Sequence, residues 1–162
     1  MTRFDWFVVV WINLIIMNKE KAMRVYILRG CSGSGKSTLA NTICENVNGV
    51  VFEADMFFVD AAGYHFDATK LGQAHAWCLR GFESALKQSY EAVVASNTFT
   101  TQKELRPYVE ACARVGIKPQ IISVEGDFGD IHNVPQEAKD RQRQRFDHRA
   151  GEILLQEFFP KA

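Results

Sequence analysis

An α/β fold, a parallel sheet covered on both faces by helices, is predicted by three observations. Strand-like and helix-like stretches alternate from Met23 onward, low-complexity tracts and internal repeats are absent, and 162 residues, 47% of them apolar, suffice for one core. The stretch RVYILR, residues 24–29, has the β-branched and aromatic content of a first strand. In KSTLANTICENV, residues 36–47, Leu39, Ile43 and Val47 recur at i, i+4 and i+8, and Asn48-Gly49 stops the helix. VVFEAD, 50–55, reads as a second strand. From about residue 70 to 89, Leu71, Ala74, Cys78, Phe82, Ala85 and Leu86 share one helical face, with Trp77 and Phe82 expected in the core. EAVVAS, 91–96, gives a third strand, 101–115 a helix stopped by Gly116, and PQIISVEG, 119–126, a fourth strand. Pro135 opens a last long helix carrying EAKDRQRQRF, and AGEILLQEFF, 150–159, is expected to close the domain as a short helix.

Charge and cysteine content narrow the function classes. The formal net charge is zero, so no global field holds the chain on nucleic acid or an anionic membrane; such contacts need a local patch. Cys31, Cys44, Cys78 and Cys112 lie far apart with no C-x-x-C pair, which is neither metal-site spacing nor a secreted disulfide framework, and a cytoplasmic setting is expected. The apolar run at residues 4–17 is interrupted by Asp5 and Asn13 and falls short of the roughly 20 residues a bilayer span needs. Residues 1–22 are read either as an extension contributing an extra strand or as the result of a start assigned upstream of Met17 or Met23. Residues 23–162 form the domain.

The stretch RGCSGSGKST follows the first strand and opens the first helix, and it fits G-x-x-x-x-G-K-[ST] in full. That context makes the fold class specific: a P-loop NTPase three-layer sandwich with a short lid. Gly30, Gly33 and Gly35 let backbone N–H groups turn toward phosphate oxygens, and Cys31, Ser32, Ser34 and Thr38 complete the loop. Lys36 is expected to reach the β and γ phosphates, and Ser37 to supply a hydroxyl to Mg²⁺; ATP and Mg²⁺ are the cofactors. A P-loop alone does not separate kinase from NTPase. Asp55, after the second strand, sits at the sheet edge where ligands gather; it is suited to accept the proton of an incoming hydroxyl, the competing role being the cap of the next turn.

The runs ILRGCSGSGKSTLA, FEADMFF, GYHFDATKLGQAHAWC, SNTFTTQKELRPYVEAC and HNVPQEAKDRQRQRF resemble the P-loop kinase family that includes the kinase domain of phage polynucleotide kinase and its small stand-alone relatives in phages and animals. The resemblance covers about residues 24–149. It implies a kinase core with a lid and transfer of the γ phosphate of ATP to a hydroxyl, on a polynucleotide 5′ end, on a hydroxymethylated base in DNA, or on a nucleotide. By the same resemblance Asp55 matches the general base and shares Mg²⁺ with Ser37, while Ser96, Asn97 and Thr98 match the motif after the third strand. Ser96 stands where the family often has Asp, and the arginine that many relatives carry before the His-Asn/Gly-Val-Pro segment is missing. Arg141, Arg145 and Arg149, spaced i, i+4, i+8, are candidates for that cation, with a solvated charged face as the alternative.

Asn97, Thr98 and Thr100 follow a strand end and either bond an acceptor or form the local turn. His65, His75, His132 and His148 lack ligand spacing. The stretch from Glu53 to Asp67 is acidic, whereas Lys139, Arg141, Arg143, Arg145 and Arg149 make the last long helix a basic patch suited to ATP phosphates, a nucleic-acid backbone or both. The leading expectation is an ATP- and Mg²⁺-dependent kinase with a nucleic-acid or nucleotide acceptor. The alternative is an NTP-binding module or NTPase coupled to a partner protein.

Overall fold

The computed structural model describes residues 22–129, 133–149 and 151–155. Strands β1 (Arg24–Arg29), β2 (Gly49–Phe52), β5 (Ala92–Ser96), β6 (Gln120–Val124) and β7 (Ile153–Leu155) form one sheet in the order β2-β5-β1-β6-β7. Every neighbouring pair in it is parallel, with Ile27 opposite Ala95 on one side and Ile121 on the other. A separate small hairpin pairs β3 (Val59–Asp60) with β4 (Gly63–Tyr64). The helices are α1 (Lys36–Cys44), α2 (Leu71–Ala85), α3 (Gln102–Arg114) and α4 (Gln136–Arg145), with 3-10 turns at Ala54–Phe58 and Ala68–Lys70.

Burial explains this order. All residues of β5 are buried, as an unbroken apolar run requires in a parallel sheet covered on both faces. On one face Ile27, Val93, Ala95 and Ile121 pack with Cys78 and Phe82 of α2 and Leu105 and Cys112 of α3. On the other, Leu28, Val94, Ile122 and Val124 pack with Ala40 of α1. Alternate residues of each strand thus serve opposite layers. The long helix also needs a small residue: a Cβ on Gly81 would lie 2.6 Å from the Phe52 ring.

Three expectations change. Residues 153–155 form a parallel strand rather than part of a helix, with Ile122 opposite Ile153 and Val124 opposite Leu155. The run is too short for its period to identify it, and pairing covers the exposed edge of β6. The second strand ends at Phe52, so Asp55 sits three residues beyond it, inside a 3-10 turn. Trp77 is 38% exposed, beside Phe57, while Phe82 is fully buried. The apolar leader at residues 4–17 and the end of the 150–159 segment lie outside the described residues. Among the described residues, no helix is long and apolar enough to cross a membrane.

Candidate active site

The carboxyl ends of the central strands bring the expected residues to one edge. At the end of β1 the chain passes so close to β6 that a Cβ on Gly30 would lie 2.4 Å from the Val124 carbonyl oxygen. Gly33 (φ 81°) and Gly35 (φ 97°) take left-handed backbone that side-chain-bearing residues rarely adopt. Gly35 is the N-cap of α1, which has no side-chain cap and no acidic residue in its first turn, an arrangement that favours an anion at the helix N-terminus. Lys36 arches over the loop, its Nζ donating to the Cys31 carbonyl (2.9 Å) and lying 3.5 Å from Ser34 Oγ. Ser37 and Thr38 are exposed, whereas Ser34 is buried. Burial raises the Cys31 thiol pKa, outweighing the positive charges of Arg143 and Lys36.

A chain of hydrogen bonds ties this loop to Asp55. Gly30 N–H donates to the Thr98 carbonyl (3.1 Å), and Asn97 N–H to the Leu28 carbonyl (3.2 Å). The Asn97 side chain then accepts from Ala54 N–H (2.8 Å) and donates to Cys78 Sγ (3.4 Å). The turn bearing Asp55 is thereby fastened to the strand beside the P-loop, and the Tyr64 hydroxyl donates to Asp55 Oδ1 at 3.3 Å. Asn97 spends both ends of its amide on the scaffold, so the geometry makes it a positioning residue. Thr100 is similarly engaged: its N–H donates to Glu104 Oε2 (2.7 Å) at the start of α3. Thr98 is half-buried, nearer the surface than its neighbours.

Helix α4 lies against the loop through Gln142. Ser32 N–H donates to Gln142 Oε1 (2.9 Å), and Gln142 Nε2 donates to Ser32 Oγ (3.1 Å). The adjacent Arg143 reaches Asp140 (3.3 Å) and Asp127 (3.6 Å) and lines a cavity of about 300 Å³ with Gly30, Cys31, Ser34, Phe146 and His148. Arg145 instead pairs with Glu104 of α3 at 3.3 Å, and Arg141 is exposed. Because α4 ends at Arg145 and Phe146 is extended, Arg149 does not continue its face. Of the basic residues of this helix, Arg143 lines the cavity beside the P-loop.

The largest surprise is Arg29, the last residue of β1, whose side chain is fully buried. Its guanidinium donates to the carbonyls of Phe99 (2.8 Å) and Thr100 (3.2 Å), to Asp147 Oδ1 (3.1 Å) and to Glu152 Oε2 (2.9 Å), and stacks 4.2 Å over the Phe146 ring. Phe99 carries a positive φ of 43° there. Asp147 Oδ2 in turn accepts from Gln102 N–H (3.0 Å), capping the first turn of α3 from a distant segment.

Partial burial pushes the Asp147 carboxyl up, but the Gln102 N–H and the Arg29 guanidinium outweigh this and hold it below the ordinary carboxylate range. The folded state therefore favours the ionised form. That contribution is whole above about pH 4 and is lost as pH falls through the lowered folded value. Asp147→Asn is expected to cost about 1 kcal/mol near neutrality. In thermal melts its deficit in Tm relative to the unsubstituted chain should narrow as pH drops below about 4.

A parallel five-stranded sheet with a glycine-rich phosphate loop between β1 and α1, and a helix laid over that loop, defines a P-loop kinase-type fold. The chain belongs to the AAA_33 family, described as an AAA domain, which matches residues 25–153. Over 84 residues it is 38% identical to NEDD4-binding protein 2 from Homo sapiens, covering 51% of this chain and 5% of that protein, so it spans only a small part of this relative's length. Among solved structures it is similar to a gluconokinase from Sinorhizobium meliloti 1021, with a TM-score of 0.57, 14% identity, and 85% of this chain and 84% of that one covered. It is also similar to Chaetomium thermophilum Kti12, determined in complex with ADP-AlF3 (TM-score 0.56, 13% identity, 81% and 88% covered). The APS kinase CysC of Mycobacterium tuberculosis aligns with a TM-score of 0.50 at 16% identity, covering 75% and 92%. At these identities the likeness to the solved structures is one of fold.

Proposed function

We infer that this chain is an ATP-dependent kinase that transfers the γ-phosphoryl group to a hydroxyl, on a nucleic acid (a polynucleotide 5′ end or a hydroxymethylated base) or on a nucleotide. The observation that carries the reading is the ladder from Gly30 through Thr98 and Asn97 to Ala54, which fastens the Asp55 turn beside the P-loop. A phosphate loop accompanied by an anchored carboxylate suits an acceptor hydroxyl better than hydrolysis alone.

The residues present fit a magnesium–nucleotide complex: left-handed Gly33 and Gly35 shape an anion-binding nest, and the uncapped start of α1 adds favourable N–H groups. Loop residues 30–38 hold the phosphates, Lys36 supplies a cation, and Ser37 and Asp55 are the residues for the metal. Bound ATP supplies the phosphoryl group, and Mg²⁺ neutralises charge on its oxygens. Asp55 orients the acceptor hydroxyl and takes its proton. The α4 helix, pinned to Ser32 by Gln142, helps exclude water from the loop. Arg143 is the best-placed guanidinium for charge developing on the transferred group. Arg143→Ala is expected to slow transfer about 10²-fold, more than Arg145→Ala, in side-by-side initial rates.

One observation favours the alternative of an NTPase coupled to a partner. Ser96 ends β5 without a carboxylate, and its buried Oγ has no hydrogen-bond partner among the described residues. A panel of acceptors with γ-labelled ATP separates the readings: DNA and RNA with 5′-hydroxyls, DNA with hydroxymethylated bases, nucleotides and small metabolites. Label in an acceptor is expected; free phosphate alone across the panel would establish the NTPase.

A further inference from the structure

We propose that the 3-10 turn bearing Asp55 and the β3–β4 hairpin receive the terminal nucleoside of the acceptor by stacking on its base, without gripping its phosphates. This rests on the kinase reading and names what the acceptor presents to Asp55.

The surface is aromatic and continuous with the carboxylate. Phe58 is buried beneath it, with Tyr64 and Phe66 packed edge-on at centroid distances of 6.4 and 5.2 Å. Tyr64 is 36% exposed and Phe66 55%, and Val59, opposite Tyr64 across the hairpin, is exposed as well. The Tyr64 hydroxyl donates to Asp55, so the aromatic face adjoins the acid, and a base stacked there would carry its attached sugar, with the 5′-hydroxyl, toward that carboxylate. Contiguous exposed apolar groups of this kind mark interaction surfaces.

Charge limits the occupant. Glu53, Asp55, Asp60 and Asp67 fall in this segment, and no Lys or Arg occurs between residues 53 and 69. The nearest lysine in sequence, Lys70, is paired with Asp67 at 3.4 Å, and His65 lies 3.4 Å from Asp60. Such a face repels phosphate oxygens and cannot track a backbone by counterion release. A nucleobase offers the complementary surface, a flat uncharged ring large enough for two aromatic side chains. In an acceptor with a 5′-hydroxyl, the first nucleoside then lies on this face while the following phosphates lead away from it.

The test is the initial rate of transfer from γ-labelled ATP to 5′-hydroxyl acceptors, from a dinucleotide to a longer oligonucleotide, between about 50 and 300 mM salt. The acceptor KM is expected to vary little with length or salt, and Tyr64→Ala and Phe66→Leu should each raise it roughly tenfold. Phe66→Leu keeps apolar bulk over Phe58 and does not touch Asp55, so it separates loss of stacking from misfolding or loss of the acid's partner. A KM rising steeply with salt, with Phe66→Leu neutral, would overturn the proposal, as would preference for a neutral sugar over every nucleoside. Equilibrium binding of the dinucleotide beside a non-hydrolysable ATP analogue distinguishes the two failures. Phe66-dependent binding without transfer keeps this surface and removes the kinase reading; transfer without Phe66 dependence does the reverse.

Discussion

Asp55→Asn is expected to lower phosphoryl transfer by roughly 10²- to 10⁴-fold, about 3 to 5 kcal/mol of barrier. The substitution preserves size and leaves an oxygen able to accept from the Tyr64 hydroxyl, which now lies 3.3 Å from Oδ1. On the proposed mechanism it removes the basic oxygen that would take the acceptor's proton, and an amide cannot replace it at neutral pH. The turn itself should stay in place, since Ala54 N–H is held by Asn97 independently of the residue that follows. Nucleotide binding, assigned on the proposed mechanism to the loop from Gly30 to Thr38, should therefore persist. Single-turnover rates and a nucleotide titration on the same preparation check both halves. Transfer within about twofold of the unsubstituted rate would show that another group takes the proton.

Arg29→Met should have the largest effect on stability, a loss of about 3–5 kcal/mol. The guanidinium is fully buried, and its removal takes the donor from Glu152 Oε2 in a side chain only 2% exposed, leaving that carboxylate with His148, 2.7 Å from Oε1. It also leaves the Phe99 carbonyl without its Arg29 donors at a residue with positive φ, and frees the cap that Asp147 places on α3. Against a typical domain stability of about 5–15 kcal/mol, that loss is a large fraction of the whole. Arg29→Lys keeps the charge but not the planar fork that reaches two carbonyls and two carboxylates, and should fall between the two. Urea unfolding midpoints measure all three chains. A loss below about 1 kcal/mol for Arg29→Met would mean the network breaks even against an apolar side chain.

Local chemistry was legible along the chain where it acts over a few residues. The P-loop could be read because glycines, lysine and serine sit at fixed offsets between a strand and a helix, and the unbroken apolar run of β5 marks a strand covered on both faces. Asp55 was legible as an acid near the sheet edge, but the 3-10 turn that carries it is set by Asn97, 43 positions from Ala54. Arg29 was not legible: its carboxylate partners are 118 and 123 positions away, and a charged residue ending a strand carries no local mark of burial. That Gln142 and Arg143 lie beside the P-loop depends on which face of α4 meets it, which periodicity cannot supply when every face of the helix is polar. The β3–β4 hairpin escaped because strands of two residues have no period to detect; its one signal is Gly63, at φ 122°, just before Tyr64.

The most direct measurement follows the γ-phosphoryl group of labelled ATP through a single turnover, with protein in excess and a 5′-hydroxyl or hydroxymethylated DNA present, and divides the label between acceptor and free phosphate. The expected result is label recovered chiefly as a stable phosphomonoester on the acceptor, with Asp55→Asn slowing its appearance and leaving nucleotide binding intact. Release of all the label as free phosphate, at the same rate with or without any hydroxyl-bearing acceptor, would contradict the assignment of a kinase.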